Sequence, residues 1–109
     1  MTVNDLVREL GLTALSVTDG EREITDAYVG DLLSWVMGRA QSGNVWITIM
    51  SNINIVAVAA LTDVACVILA EGVTVEDSVL HTAEQKGVNL LASEMTAYGL
   101  AKKLAGLSI

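Results

Sequence analysis

The chain has 109 residues, 52% of them hydrophobic and 17% charged, with a net charge of −7 at pH 7. That length suits a single domain over residues 1–109, with a core large enough to need no covalent staple. Its six basic residues (Arg8, Arg22, Arg39, Lys86, Lys102, Lys103) are scattered, which argues against nucleic acid or an anionic membrane surface as a partner.

In chain order, Thr2-x-x-Asp5 reads as a capping box. Val3, Leu6, Val7 and Leu10 then recur at helical spacing, and Gly11 closes that helix. Leu12 to Val17 is a short strand, and Asp19-Gly20 is a turn. Glu21 to Ala27 is polar and irregular. Asp31 is expected to cap a second helix with Leu32, Leu33, Val36, Met37 and Ala40 on one face, broken by Gln41-Ser42-Gly43. Val45 to Met50 is a strand rich in β-branched residues. The corner Ser51-Asn52-Ile53-Asn54 opens a helix from Ile55 to Leu61 that is apolar nearly all round. Such a helix is expected to be buried on more than one side. Its run falls far short of the ~18 apolar residues a membrane helix needs.

Cys66 to Ala70 is a continuous apolar run, as in a parallel strand covered on both faces. Thr74-x-x-Asp77 reads as a second capping box, starting a helix with Val75, Val79 and Ala83 inward and Gly87 at its end. Val88 to Ala92 is the last strand. Ser93 is expected to cap a final helix carrying Ala97, Leu100, Ala101, Leu104 and Leu107. Strands alternating with helices of this length make βαβ units. The fold class is therefore α/β, a three-layer α/β/α with a mainly parallel sheet.

The candidate chemistry is sparse. Ligands of open α/β sheets bind beyond the carboxyl ends of the strands, where helix N-termini favour an anion. Three corners lie there: Ser51 to Asn54, Glu71-Gly72-Val73-Thr74, and Ser93-Glu94-Met95-Thr96. Their short polar side chains serve either a ligand or helix capping alone. His81 is the only histidine, with no nucleophile or carboxylate set by spacing, and is expected to face solvent. Cys66, in an apolar strand, is expected to be buried and inert. Glu21, Glu23, Asp26 and Asp31 form an acidic loop, read as solvated, with weak divalent-cation binding as the alternative. Trp35 and Trp46 read as core or interface anchors. Walker, GxGxxG, HExxH and CxxC motifs are absent, so the expectation is a protein that is not an enzyme and uses neither cofactor nor metal. High apolar content for a small domain points to a homodimer. With no signal peptide at the start and a lone cysteine, the expected location is cytoplasmic.

Three segments carry a family resemblance: Tyr28-Val29-Gly30-Asp31-Leu32-Leu33-Ser34, Trp46-Ile47-Thr48-Ile49, and Asn54-Ile55-Val56-Ala57-Val58-Ala59. With them the chain resembles, over nearly its whole length, the stand-alone DRTGG-domain proteins. That family is related to the N-terminal domain of the HPr kinase/phosphorylase. The resemblance implies a compact α/β/α domain with a regulatory or oligomerising role. A serine-kinase-like label is not implied, because the kinase's phosphate-binding loop belongs to another domain. The family's name motif matches Glu21-Arg22, Thr25 and Asp26-Ala27, where Asp26 and Ala27 stand in place of two glycines. The residues expected to bind a small anionic or nucleotide-like ligand are Arg22, Thr25, Ser51, Asn52, Asn54 and Gly72. The reading is a non-enzymatic ligand-sensing module; the alternative is a structural interaction domain without a ligand.

Overall fold

A computed structural model describes residues 1–109. The elements run α1 (Val3–Leu10), β1 (Thr13–Ser16), β2 (Asp26–Val29), α2 (Leu33–Arg39), β3 (Asn44–Thr48), α3 (Asn54–Thr62), β4 (Cys66–Leu69), α4 (Asp77–Lys86), β5 (Leu90–Ala92) and α5 (Ala97–Gly106). One five-stranded sheet has the order β1-β5-β4-β3-β2. Strands β2 to β5 are parallel and β1 is an antiparallel edge on β5.

The layering follows from alternation along each strand. Trp46, Val67, Leu69 and Leu90 face α2, α3 and α4, in a core completed by Val36, Ile55, Val56, Val79 and Ala83. Val45, Ile47, Cys66, Ile68 and Leu91 face the other way, onto Val3 and Leu6 of α1 and Leu100 and Leu104 of α5. Both faces of β3 and β4 are covered, and every residue of the two strands is buried. The result is the three-layer α/β/α arrangement with a mainly parallel sheet. Because β2, β3, β4 and β5 are laid down in spatial order, their three crossover helices all fall on one face, as a consistent right-handed crossover requires. The two ends of the chain cover the other face.

The first capping box forms as read: Thr2 Oγ1 accepts from Asp5 N at 3.1 Å, and Asp5 Oδ2 accepts from Thr2 N at 3.0 Å. Gly11 ends α1 and Gly87 ends α4 in left-handed geometry, at φ 61° and 71°. Five local expectations are corrected. Asp26 to Val29, half inside the stretch read as irregular, is edge strand β2. One side of β2 has no strand to pair with, so its sequence shows no continuous apolar run. Asp31 does not cap α2; Leu32 occupies that position, and Asp31 Oδ1 instead accepts from Thr48 Oγ1 at 2.8 Å and Ile49 N at 3.0 Å. Leu32 and Met37 do not share the inward face of α2 with Leu33, Val36 and Ala40 but lie exposed.

Thr74 does not form a capping box: α4 starts two residues later, after Glu76, with no side-chain cap. The reason is the tight turn after β4, where Glu71 and Gly72 both take positive φ (59° and 70°). Their amides donate to Met95 O and Ser93 O at 2.8 and 2.9 Å, which carries residues 73–76 across the sheet end before the helix begins. Ser93 likewise does not cap α5. Its Oγ accepts from Met95 N at 3.0 Å, and Thr96 Oγ1 caps the helix through Gly99 N at 3.0 Å.

Helix α3 is less enclosed than expected of so apolar a segment. Ile55, Val56, Val58 and Ala59 are buried against the sheet, while Ile53, Ala57, Ala60 and Leu61 are open to solvent in the single chain. No helix is long and apolar enough to cross a membrane.

Candidate functional site

The parallel strands β3, β4 and β5 end together, and the three corners follow at one edge of the sheet. Two depressions link them. The first is a groove of ≈ 560 Å³ between the starts of α3 and α4, lined by Ser51, Asn52, Ile53, Thr74, Val75, Glu76, Ser78 and Val79. The second is a slot of ≈ 310 Å³ between the β4–α4 and β5–α5 corners. Its walls are Leu15, Val73, Val75, Leu80 and Ala92, with Thr13, Gly72, Thr74, Ser93 and Glu94 at its polar margin. Thr74 and Val75 line both. The middle corner is thus the wall between a polar groove and an apolar slot.

Local chemistry sets the character of each part. In the groove, Asn52 Oδ1 accepts from Asn54 N at 2.9 Å, tightening the turn into α3. The next amides of α3 are also taken, Ile55 N by Asn52 O at 3.2 Å and Val56 N by Ile53 O at 3.1 Å, so the helix start left without a side-chain cap at the depression is that of α4. Thr48, buried at the carboxyl end of β3, is held by Asp31 and in turn accepts from Met50 N at 3.1 Å, which fixes the corner before Ser51. Glu76 is the only charged residue in the groove, and Glu94 the only one in the slot. No lysine or arginine lines either. At Gly72 an added Cβ would meet only the mobile end of the exposed Glu94 side chain, so what calls for glycine here is the φ of 70°.

The six expected ligand residues fall into two groups. Ser51 and Asn52 line the groove, Asn54 begins α3 beside it, and Gly72 lines the slot. Arg22 and Thr25 lie at the opposite end of the sheet, before β2 and beside the start of β3, and do not meet the other four. Arg22 Nη1 and Nη2 donate to Asp63 Oδ1 and Oδ2 at 3.0 and 2.9 Å, and Nη2 also reaches the Asp63 carbonyl at 2.9 Å. Ser42 Oγ donates to the same carboxylate at 2.6 Å. Hydrogen bonding from Arg22, then from Ser42, holds the Asp63 carboxyl below its usual value. Thr25 Oγ1 donates to Ser42 O at 3.1 Å, and Thr25 N donates to Gly43 O at 3.0 Å. These contacts staple the α3–β4 turn to the β3 start.

Sequence reading passed over the apolar slot and Asn89. Asn89 is buried, and its side chain accepts from Thr18 N and Asp19 N at 2.9 and 3.0 Å while donating to Asp19 O and Ala65 O at 2.8 and 2.9 Å. A lone Asn at the head of an apolar strand was the only available signal. His81 is exposed, and Cys66 is buried, with its thiol pushed up to about 12 by burial. The acidic loop does not converge on a cation: Glu21 meets Asn4, Glu23 the N-terminal amine, and Asp31 the end of β3.

No curated protein sequence matches the chain. Among solved structures, it resembles the CBS and DRTGG domains of the regulatory region of Clostridium perfringens pyrophosphatase, crystallised in complex with its activator, diadenosine tetraphosphate. The TM-score is 0.74 at 12% identity, over 94% of this chain and 45% of that one, so the chain spans less than half of that regulatory region. At that identity the likeness is one of fold. The DRTGG-domain family model matches residues 5–107. Motif segments, layering and the family match converge, and the chain belongs to the DRTGG-domain family.

Proposed function

We propose that the chain is a non-enzymatic, ligand-sensing regulatory module that works as a homodimer and binds a small nucleotide-like ligand at the carboxyl edge of its sheet. The observation that carries this reading is the pairing of depressions on either side of Thr74 and Val75. The apolar slot suits a flat heterocycle, and the adjoining groove offers hydroxyls, an amide side chain and the uncapped start of α4 to a polar tail. The complex of the pyrophosphatase regulatory region with a dinucleotide supports the same ligand class. The absence of Lys and Arg from both linings limits the charge: a single phosphate or a neutral nucleoside suits the site better than a polyphosphate. A cytoplasmic setting goes with this reading, as does the unpaired thiol of Cys66.

The test is a thermal-shift screen of nucleosides, nucleotides and metabolites. A true ligand at 100 times its Kd adds about 2.7 kcal/mol of stability, a shift of several degrees for a chain of this size. Asn52→Ala and Val75→Trp are expected to abolish the shift without unfolding the protein, the first by loosening the groove turn and the second by filling the slot. A screen without hits, on a protein that is still a stable dimer, would favour the second reading, an interaction domain with no ligand. The exposed apolar residues of α2 and α3 are the observation behind that alternative.

A further inference from the structure

Resting on the ligand reading above, we infer that Glu94 sets the specificity of the slot, and that the slot takes a flat heterocycle with a ring N–H beside an exocyclic amino group, the edge that guanine and pterins share. At ≈ 310 Å³ the slot lies at the small end of ligand pockets and has room for one ring system, not for a whole dinucleotide. Its walls, Leu15, Val73, Val75, Leu80 and Ala92, offer only apolar contact to the faces of a ring. What distinguishes one ring from another is therefore the hydrogen bonding at the margin.

That margin is poor in donors. The amides of Glu71 and Gly72 donate to Met95 O and Ser93 O at 2.8 and 2.9 Å, Val73 N donates to Ala70 O at 3.3 Å, and Ser93 N donates to Leu69 O at 2.9 Å. Met95 N donates to Ser93 Oγ at 3.0 Å. Most backbone donors of the two corners are thus spent inside the protein, and the side chains decide. The hydroxyls of Thr13 and Thr74 both donate and accept, so they do not discriminate between ring edges. Glu94 does, because an ionised carboxylate only accepts. It is the one charged group of the lining, its carboxylate lies against Gly72, and it takes part in none of the chain's ion pairs. Turning it to a ligand breaks no contact of that kind. Its two oxygens match two parallel N–H groups in a bidentate pair. Guanine presents such a pair. Adenine and cytosine set an acceptor nitrogen beside the amino group, and uracil flanks its one N–H with two carbonyls, so each would turn a lone pair toward the carboxylate.

Titration calorimetry on the full chain with guanosine, inosine, adenosine and a pterin tests this. The wild type is expected to bind guanosine about 10-fold more tightly than inosine, which lacks the amino group, and to bind adenosine more weakly than guanosine. Glu94→Gln exchanges one oxygen for a donor on an exposed side chain, so the fold is kept. It is expected to lose the guanosine preference and to gain affinity for adenosine, whose amino group and ring nitrogen the amide matches. Glu76→Gln in the groove changes the net charge equally and is expected to keep the guanosine preference. Guanosine and the pterin present the same edge: Glu94-dependent binding of either bears the assignment out, and the tighter of the two identifies the source of the ring. Adenosine bound as tightly as guanosine by the wild type, or a guanosine preference that survives Glu94→Gln, would overturn the role of Glu94; the ligand reading would stand if Val75→Trp still abolished that binding. If none of the four binds, the ring assignment falls, and the ligand reading falls with it only if the wider thermal-shift screen is also empty.

Discussion

Asn89 does more for the fold than any other buried polar side chain here. Its amide joins the loop after β1 to the start of β4 through five hydrogen bonds. Asn89→Ala would strand the Ala65 carbonyl and two loop amides, and is predicted to cost about 2–4 kcal/mol in urea unfolding. The Arg22–Asp63 pair is of another kind. Both partners are partly exposed, so after screening it is worth at most about 1 kcal/mol. Its pH dependence is nevertheless defined. The lowered folded pKa of Asp63 means that the unfolded chain takes up the proton first. The stabilisation is therefore present above the ordinary carboxylate range, near pH ~4, and is lost as pH falls through the folded value. Asp5, lowered chiefly by its hydrogen bonds from Thr2, adds a term of the same sign. Arg22→Ala is predicted to shrink the acid-limb loss of stability; coincident acid limbs for mutant and wild type would mean that the pair does nothing. Cys66, with its thiol raised to about 12, is predicted to resist iodoacetamide at pH ~8 in the native state and to react once unfolded.

At the scale of elements, α3 has two apolar faces with different duties. The inner face is core, and Ile55, fully buried, is predicted to cost about 2–5 kcal/mol when cut to Ala, seen as a lowered thermal midpoint. The outer face contributes little to folding of the single chain, and its substitutions are expected to act on association. Helix starts show why capping patterns mislead. The Thr74 pattern satisfies the capping rule, but the turn at Glu71-Gly72 pairs with Ser93 and Met95, and residues 73–76 that follow it are not helical. The displaced start of α4 puts Thr74 and Val75 on the wall between slot and groove. Asp31 has a similar history: a suitable cap in sequence, it is drawn to Thr48 and Ile49 because the buried Thr48 hydroxyl at the end of β3 needs a partner.

For the molecule as a whole, the topology sets the kind of site. The parallel strands run in spatial order, so the sheet has no point where its winding reverses and no central crevice. Depressions form instead between successive helix starts, shallow and joined through the middle corner. If the ligand reading holds, one compound occupying both is expected to lose affinity through Asn52→Ala and Val75→Trp alike, by titration calorimetry. A compound sensitive to one substitution alone would mean two independent sites.

The sequence by itself determined the elements with dense apolar patterns. Strands β3 and β4, helix α3 and the capped helix α1 were readable because burial on both faces, or on one helical stripe, writes a local period into the residues. The family was readable too, from Tyr28 to Ser34, Trp46 to Ile49 and Asn54 to Ala59. Edge strand β2 was not, since a strand paired on one side leaves a weak pattern. Tertiary structure alone decided the rest. It separated Arg22 and Thr25 from Ser51, Asn52, Asn54 and Gly72 by the length of the sheet, and it joined Leu15 of the first strand to Val75 and Ala92 in one slot. Convergence of this sort depends on strand order and on where each connection turns. Those are fixed by pairing between residues far apart in the chain, of which the local pattern carries no record.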